Sequence, residues 1–317
     1  MMSTNHTTNA TSTKVLVTGA TGFIGLHTVR ALLMHGYQVH VLVRPSTNLS
    51  VLHEFAERIV VHSADITDRE KVFSTIKTAA PVHIFHLATS ILMSGKTSDA
   101  KTLISTNVEG TINLMDAAVQ VKVSSFINMG SFLEYGPKNH QVTEDERCDP
   151  IELYAVTKLA ATLYGQGLAR RNGFPCITFR LFTPYGPGIQ KGRLVRNLLE
   201  KVRAGEEIPL VKPTIARDFI YVEDIPALLI EAATHASAHA GEIFNLGSGI
   251  RTTMQELVRR AEDAVGVQAR VQWNAFPLQS YDCELWEAEM KKTFSAFAWR
   301  PKTSIEDGLR RIVALLT

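Results

Sequence analysis

From Lys14 to about Phe182, short apolar runs alternate with longer segments whose apolar positions recur every three or four residues. Residues 15–17, 38–43, 59–61, 82–87, 126–129 and 176–181 read as strands. Many of these are continuously apolar or β-branched, the pattern of strands covered on both faces. Between them, residues 23–34, 68–77, 100–121 and 151–171 carry helical periodicity. This alternation predicts an α/β fold, a doubly wound parallel sheet with right-handed crossovers. Ligands then belong at the carboxyl ends of the strands. After residue 182 the rhythm loosens. A Pro/Gly-rich loop at 183–188 is followed by a helix near 192–204, a strand at 219–222 and a helix near 225–234. A strand at 242–246, a helix at 252–265 and two short helices complete the chain, predicting a smaller mixed region.

The most informative local pattern is Gly19-x-x-Gly22-x-x-Gly25, which joins the first strand to the first helix. Glycines there let backbone approach a pyrophosphate, and the helix N-terminus offers free N–H groups. The spacing differs from the ordinary Gly-x-Gly-x-x-Gly fingerprint. The predicted organisation is therefore a tail at 1–13, a dinucleotide-binding Rossmann domain at 14–182 with returning segments near 217–247, and a discontinuous substrate-binding region within 183–317.

Composition narrows the function classes. The chain has 317 residues, 45% hydrophobic and 20% charged, with ample material for a core. Its net charge of +2 creates no strong field for nucleic acid or an anionic membrane. No apolar run is long enough to span a bilayer. Cys148, Cys176 and Cys283 are far apart and lack metal-ligand spacing, so buried free thiols in a reducing compartment are expected, and no metal. The polar first residues lack the basic and apolar regions of a secretory signal and read as a disordered tail. Its Asn5-His6-Thr7 and Asn9-Ala10-Thr11 triplets carry no meaning without secretion. A cytoplasmic protein is the expectation.

Tyr154 and Lys158 lie four residues apart on a predicted helix and so share a face. A free phenol has a pKa near 10. A neighbouring ammonium and a cationic nicotinamide would favour phenolate, each pKa unit being worth roughly 1.4 kcal/mol. Tyr154 can then exchange a proton with a carbinol or ketone oxygen. Ser131, placed after the strand at 126–129, can donate to that oxygen. Each feature alone has a plainer reading: a surface Tyr/Lys pair, or a turn serine before Tyr135-Gly136-Pro137. Their order along one chain points to chemistry.

With these residues in view, the chain resembles the extended short-chain dehydrogenase/reductases of the nucleotide-sugar epimerase, dehydratase and reductase type. The likeness runs from Lys14 to the C-terminus. Besides the glycine turn it includes Ala64-Asp65, His86-Leu87-Ala88, Asn107-Val108-Glu109-Gly110-Thr111, Tyr135-Gly136 and Tyr154-x-x-x-Lys158. It continues through Arg180-Leu181-Phe182, Tyr185-Gly186-Pro187-Gly188, Arg217-Asp218-Phe219 and Trp299-Arg300-Pro301. The resemblance implies a catalytic triad of Ser131, Tyr154 and Lys158. It implies cofactor contacts from Gly19, Thr21, Gly22, Phe23, Ile24, Gly25, Asp65, Ile66, Leu87, Ala88, Thr89, Asn107, Lys158 and Leu181. It implies substrate contacts from Thr89, Ser131, Thr183, Arg193, Arg217 and Tyr281, with Arg217 on the diphosphate of a nucleotide-sugar. The plainer alternative for Arg217 is a salt bridge to Asp218 or Glu223. A homodimer through a four-helix bundle of the 100–121 and 153–171 helices is also implied.

The second strand ends at Val43 without the carboxylate that would bind the ribose 2′-OH of NAD. Arg44 follows, with Ser46, Thr47 and Asn48 behind it, a set suited to a 2′-phosphate. NADP(H) is therefore expected over NAD(H), although NAD(H) is possible. Related dehydratases carry acids just after the catalytic hydroxyl. Phe132 and Leu133 stand there, and Glu134 comes one residue too late, on the opposite face of an extended segment. Elimination of water is disfavoured. Reduction of a keto group on a nucleotide-linked deoxysugar ranks first and 4-epimerisation second. A catalytically silent NADP sensor ranks last, because it would need no Tyr/Lys pair. The segment 282–286 is also similar to CDP-deoxysugar ketoreductases. Two departures stand out: Thr183 replaces the family's usual Asn, and Tyr281 replaces a phosphate-binding arginine, whose charge Arg193 or Arg196 could supply.

Overall fold

The computed structural model describes residues 12–92, 96–279 and 282–316. Its centre is a sheet of seven strands: β1 (Lys14–Thr18), β2 (Gln38–Val43), β3 (Ile59–Ser63), β4 (His83–His86), β5 (Ser125–Ser131), β6 (Cys176–Leu181) and β7 (Ile243–Leu246). They lie in the order β7-β6-β5-β4-β1-β2-β3, and every neighbouring pair is parallel. The doubly wound parallel sheet expected from the apolar runs is the observed fold. The order reverses between β1 and β4, and that reversal opens a crevice at the carboxyl ends of the strands.

Alternate residues of the strands feed two cores. Val15, Val17, Val39 and Val41 face one side, which also holds the helix Ile225–His235. Leu16, Leu42, Ile84 and Phe126 face the other, covered by α2 (Arg69–Ala79) and α3 (Gly110–Val121). Asp68 caps α2, its carboxylate accepting from the Lys71 N–H at 3.1 Å. The helix α1 (Phe23–Met34) begins differently: no side chain caps it, and its first turn holds no acid. Its free N–H groups face the crevice mouth. The helix α4 (Leu153–Asn172) follows the loop after β5 and carries Tyr154 and Lys158.

Four strands, Arg251–Thr253, Ala216–Tyr221, Leu285–Ala288 and Gln141–Val142, form a second, mixed sheet. Thr183–Tyr185 pairs in parallel with Ala216–Tyr221, so part of the expected 183–188 loop is a strand. Tyr185 is fully buried edge-on against the rings of Phe219 and Tyr221, which anchors that pairing. Of the expected return between 217 and 247, Ile243–Leu246 joins the large sheet, while Ala216–Tyr221 belongs to the mixed one. A third core under this region gathers Val195, Leu198, Leu257, Leu309 and Ile312.

The expected single helix at 100–121 is broken. Ala100–Leu103 is α-helical, Ile104–Glu109 widens into π turns, and α3 follows. The wide turn accompanies Asn107, whose side chain is fully engaged inside the protein. Of the three cysteines, which are all free, Cys176 is buried as expected, but Cys148 and Cys283 are half-buried. Among the described residues no helix is long and apolar enough to cross a membrane. Most of the expected tail (residues 1–11) and Tyr281 lie outside the described residues.

Candidate active site

The glycine turn closes on itself, with the Gly22 N–H donating to the Gly19 carbonyl at 2.9 Å. Gly19 adopts φ +69°, and a Cβ there would lie 2.6 Å from the Ala88 nitrogen. A Cβ on Gly25 would sit 2.0 Å from the Gly19 oxygen. Neither position admits a side chain, so bare backbone and the uncapped start of α1 form the floor of the crevice.

Above this floor lies a continuous cavity of about 1230 Å³. Every described site residue expected from the sequence lines it except Asn107. The 19–25 turn contributes one end, joined by Arg44, Ser46, Thr47 and Asn48 after β2 and by Asp65 and Ile66 after β3. Leu87, Ala88 and Thr89 follow β4, and Leu181 ends β6. Ser131, Tyr154 and Lys158 meet at the middle. Thr183, Arg193, Arg217 and Asp282 line the far part. A cavity with a glycine phosphate cradle at one end and arginines at the other fits an extended dinucleotide lying beside an anionic substrate.

Asn107 was expected to touch cofactor, but it stands behind the wall. Its Oδ1 accepts from Ser90 N–H at 2.8 Å and from the Thr89 hydroxyl at 3.1 Å. Its Nδ2 donates to the Ser90 carbonyl at 3.0 Å and to Thr157 Oγ1 at 3.1 Å. All its polar capacity is spent holding the loop after β4 against α4, so it braces the cavity rather than lining it.

Tyr154 and Lys158 are both buried, at 8% and 2% exposure. Burial, and then the Glu134 carboxylate, push the Tyr154 phenol up to about 12; the Ser131 and Thr89 hydroxyls and the Arg193 charge pull it down. Burial brings the Lys158 amine down to about 8, with Glu134 pulling it up. Without the charge of a nicotinamide, desolvation outweighs the groups that favour phenolate. The protein holds Tyr154 as a phenol, the form that gives a proton to a ketone oxygen.

Ser131 is the last residue of β5, which extends past the expected 126–129. It caps the short turn Phe132–Tyr135: its Oγ accepts from Leu133 N–H at 3.2 Å, and Glu134 reaches back to the Ser131 N–H at 2.9 Å. Phe132 stacks on Phe182 and packs edge-on against Trp286, and Leu133 is buried. The two positions after Ser131 are thus apolar wall, with no acid at either.

Arg217 is tied to Asp282, and its Nη1 is buried with no hydrogen-bond partner among the described residues. The alternative partners read from the sequence are not used. Asp218 turns away to accept from the N–H groups of Ser248 at 2.7 Å and Gly249 at 2.9 Å, and burial raises it to about 6. Glu223 faces His27 and Arg311. Arg196, the other candidate cation, binds Glu200 and the Ile189 carbonyl outside this cavity. Asp282 and Glu134 are the residues whose site roles sequence reasoning missed. Among the described residues no cluster of three His, Cys, Asp or Glu could hold a metal.

The sequence model of the NAD-dependent epimerase/dehydratase family matches residues 15–247. The low-salt glycan biosynthesis protein Agl12 of Haloferax volcanii is 29% identical, the alignment covering 94% of this chain and 97% of that protein. A UDP-glucuronate 4-epimerase of Thermodesulfobacterium geofontis is 25% identical, with 94% of each chain covered. Among solved structures, the UDP-glucose 4-epimerase of Thermus thermophilus in complex with NAD superposes with a TM-score of 0.83 at 26% identity, covering 95% of this chain and 97% of that one.

Proposed function

This chain belongs to the NAD-dependent epimerase/dehydratase family of extended short-chain dehydrogenase/reductases, and from that premise we propose that it is an NADP(H)-dependent reductase of a keto group on a nucleotide-linked sugar. One observation carries the cofactor half: Arg44 lines the cavity beside Ser46, Thr47 and Asn48, where an NAD enzyme of this fold places a carboxylate. A guanidinium among small donors favours a 2′-phosphate by charge-assisted hydrogen bonds. A cofactor exchanged at every turnover suits net reduction.

A bound nicotinamide supplies or takes hydride at the substrate carbon. Tyr154, buried as a phenol, gives its proton to the carbonyl oxygen as that carbon is reduced. The Ser131 hydroxyl orients the same oxygen. Lys158 holds the ribose and stabilises the phenolate left behind. Asp65 and Ile66 receive the adenine end. Arg217 and Arg193 are the cations for a diphosphate, and Thr183 contributes a hydroxyl. The apolar pair Phe132 and Leu133 argues against a dehydratase.

The second reading is a 4-epimerase, which takes hydride from C4 and returns it to the other face with the same three residues. It is favoured by the relatives named as epimerases and by the Thermus structure's NAD. Incubation with NADPH and a panel of nucleotide-4-keto-sugars decides between them: oxidation of NADPH is expected, with tighter binding of NADPH than NADH. Interconversion of UDP-glucose and UDP-galactose without net cofactor change, or NADH binding as tightly as NADPH, reverses the ranking. The functional unit is a homodimer through a four-helix bundle, supported by exposed Ile104, Val156 and Leu163 on the helices implied by the family. Cytosolic nucleotide-sugar metabolism is the matching setting.

A further inference from the structure

Glu134 is fully buried and lies outside the reactive trio, yet it touches both elements that carry it. Its Oε1 accepts from the Ser131 backbone N–H at 2.9 Å. Its Oε2 accepts from Thr162 Oγ1 at 3.1 Å and from Arg180 Nε at 3.1 Å. Thr162 is one helical turn beyond Lys158 and two beyond Tyr154, so all three stand on one face of α4. A Cβ on Gly130 would come within 2.7 Å of Glu134 Oε1 and 2.9 Å of Thr178 Cγ2, so a side chain there would press on this carboxylate.

We propose that Glu134 is a positioning residue of the active site: one buried carboxylate ties the end of β5 that carries Ser131 to the face of α4 that carries Tyr154 and Lys158, and through Thr162 it holds a negative charge one helical turn from Lys158. It rests on the reading of Tyr154 and Lys158 as the acid and its cation. The other charged and titratable groups around it are accounted for. Arg180, from β6, binds Glu134 and lays its guanidinium 4.3 Å from the Tyr135 ring centroid; its Nη2 donates to Cys148 Sγ at 3.0 Å and its Nη1 points to the Glu144 carbonyl. Glu144 itself is engaged by the Asn245 N–H at 2.8 Å. His86, the titratable neighbour of Lys158 on β4, is neutral: burial takes it down to about 3. Arg193 faces Tyr154 from the substrate side. Glu134 is the carboxylate whose charge bears on both Tyr154 and Lys158.

The test needs no substrate. The full chain is labelled with carbon-13 at the lysine Cε, and the Lys158 resonance is assigned by its loss in Lys158→Arg. The wild-type amine is expected to titrate near 8. In Glu134→Gln the midpoint falls by about one unit, because the carboxylate that favours the ammonium is gone. Glu134→Gln leaves Arg180 buried without its counter-ion, so Glu134→Gln/Arg180→Met provides the same readout should the single variant fail to fold. A Lys158 midpoint that stays in place in a folded variant overturns the proposal. Absence of any turnover in the wild type would count against the reductase reading alone, since the titration decides Glu134 independently. Where turnover is present, the alkaline limb of the kcat profile moves to lower pH with the same variants.

Discussion

At the scale of single residues, environment decides what Tyr154 can do. A phenol pushed up to about 12 gives a proton readily only when something pulls on it, which in the proposed reduction is the oxygen of a carbon accepting hydride. Tyr154→Phe removes that proton while leaving the ring's packing. Turnover is expected to fall by roughly 10² to 10⁴, the usual worth of a positioned acid, with the cofactor dissociation constant within about twofold. Stopped-flow hydride transfer and fluorescence titration of cofactor check the two halves. Unaltered turnover would mean that another group, not Tyr154, supplies the proton. The Tyr154/Lys158 pair was legible because four residues on a helix always share a face. Glu134 was not: the sequence reading set it aside as out of place for dehydration, and its partners Thr162 and Arg180 lie 28 and 46 residues away. Asn107 shows the opposite failure, since its motif was recognisable but the direction of its amide was not.

At the scale of elements, long patterns were readable and short ones were not. The strands and helices around the glycine turn followed from runs of apolar residues, and the predicted 23–34 helix and 38–43 and 176–181 strands match the observed bounds. Strands such as Gln141–Val142, Glu207–Pro209 and Arg251–Thr253 span two or three residues, too few to show a period of two. The π turns at Ile104–Glu109 were invisible because a widened turn still reads as helical spacing. The helix α4 makes its own prediction. Val156 and Leu163 are seven residues apart, on one face, and are 44% and 51% exposed. A second copy covering that face would bury both. Light scattering after gel filtration is expected to give twice the chain mass of 35.0 kDa for the wild type. Leu163→Glu, which places a charge in the apolar seam, should give a single-chain mass. A wild-type monomer would sink the four-helix bundle.

At the scale of the whole molecule, the fold hides more histidine than its chemistry uses. His27, His40, His62, His83 and His86 are all held below the usual 6.5, with burial the first cause in each. For a base, a lowered folded pKa means that the folded chain refuses protons the unfolded chain accepts. Stability is therefore intact above about 6.5 and is lost as pH falls below it, by roughly 1.4 kcal/mol per pH unit for each proton of difference. For His86, held between Thr18 Oγ1 at 2.7 Å and Thr111 Oγ1 at 2.9 Å, the loss continues down to about 3. Asp218, raised to about 6, and Glu144, also raised, act with the opposite sign, because the folded chain keeps their protons longer. Five groups against two leave a net loss between pH 6.5 and 5. Urea midpoints measured at pH 7.5, 6 and 5 should fall in that order. His86→Gln, which keeps a polar bridge between the two threonines but cannot titrate, should flatten the slope by about one proton. A wild-type midpoint that holds steady from pH 7.5 to 5 would mean that the buried imidazoles reach water in the native state, and that the cavity wall at Leu87 and Ala88, next to His86, is looser than its packing implies.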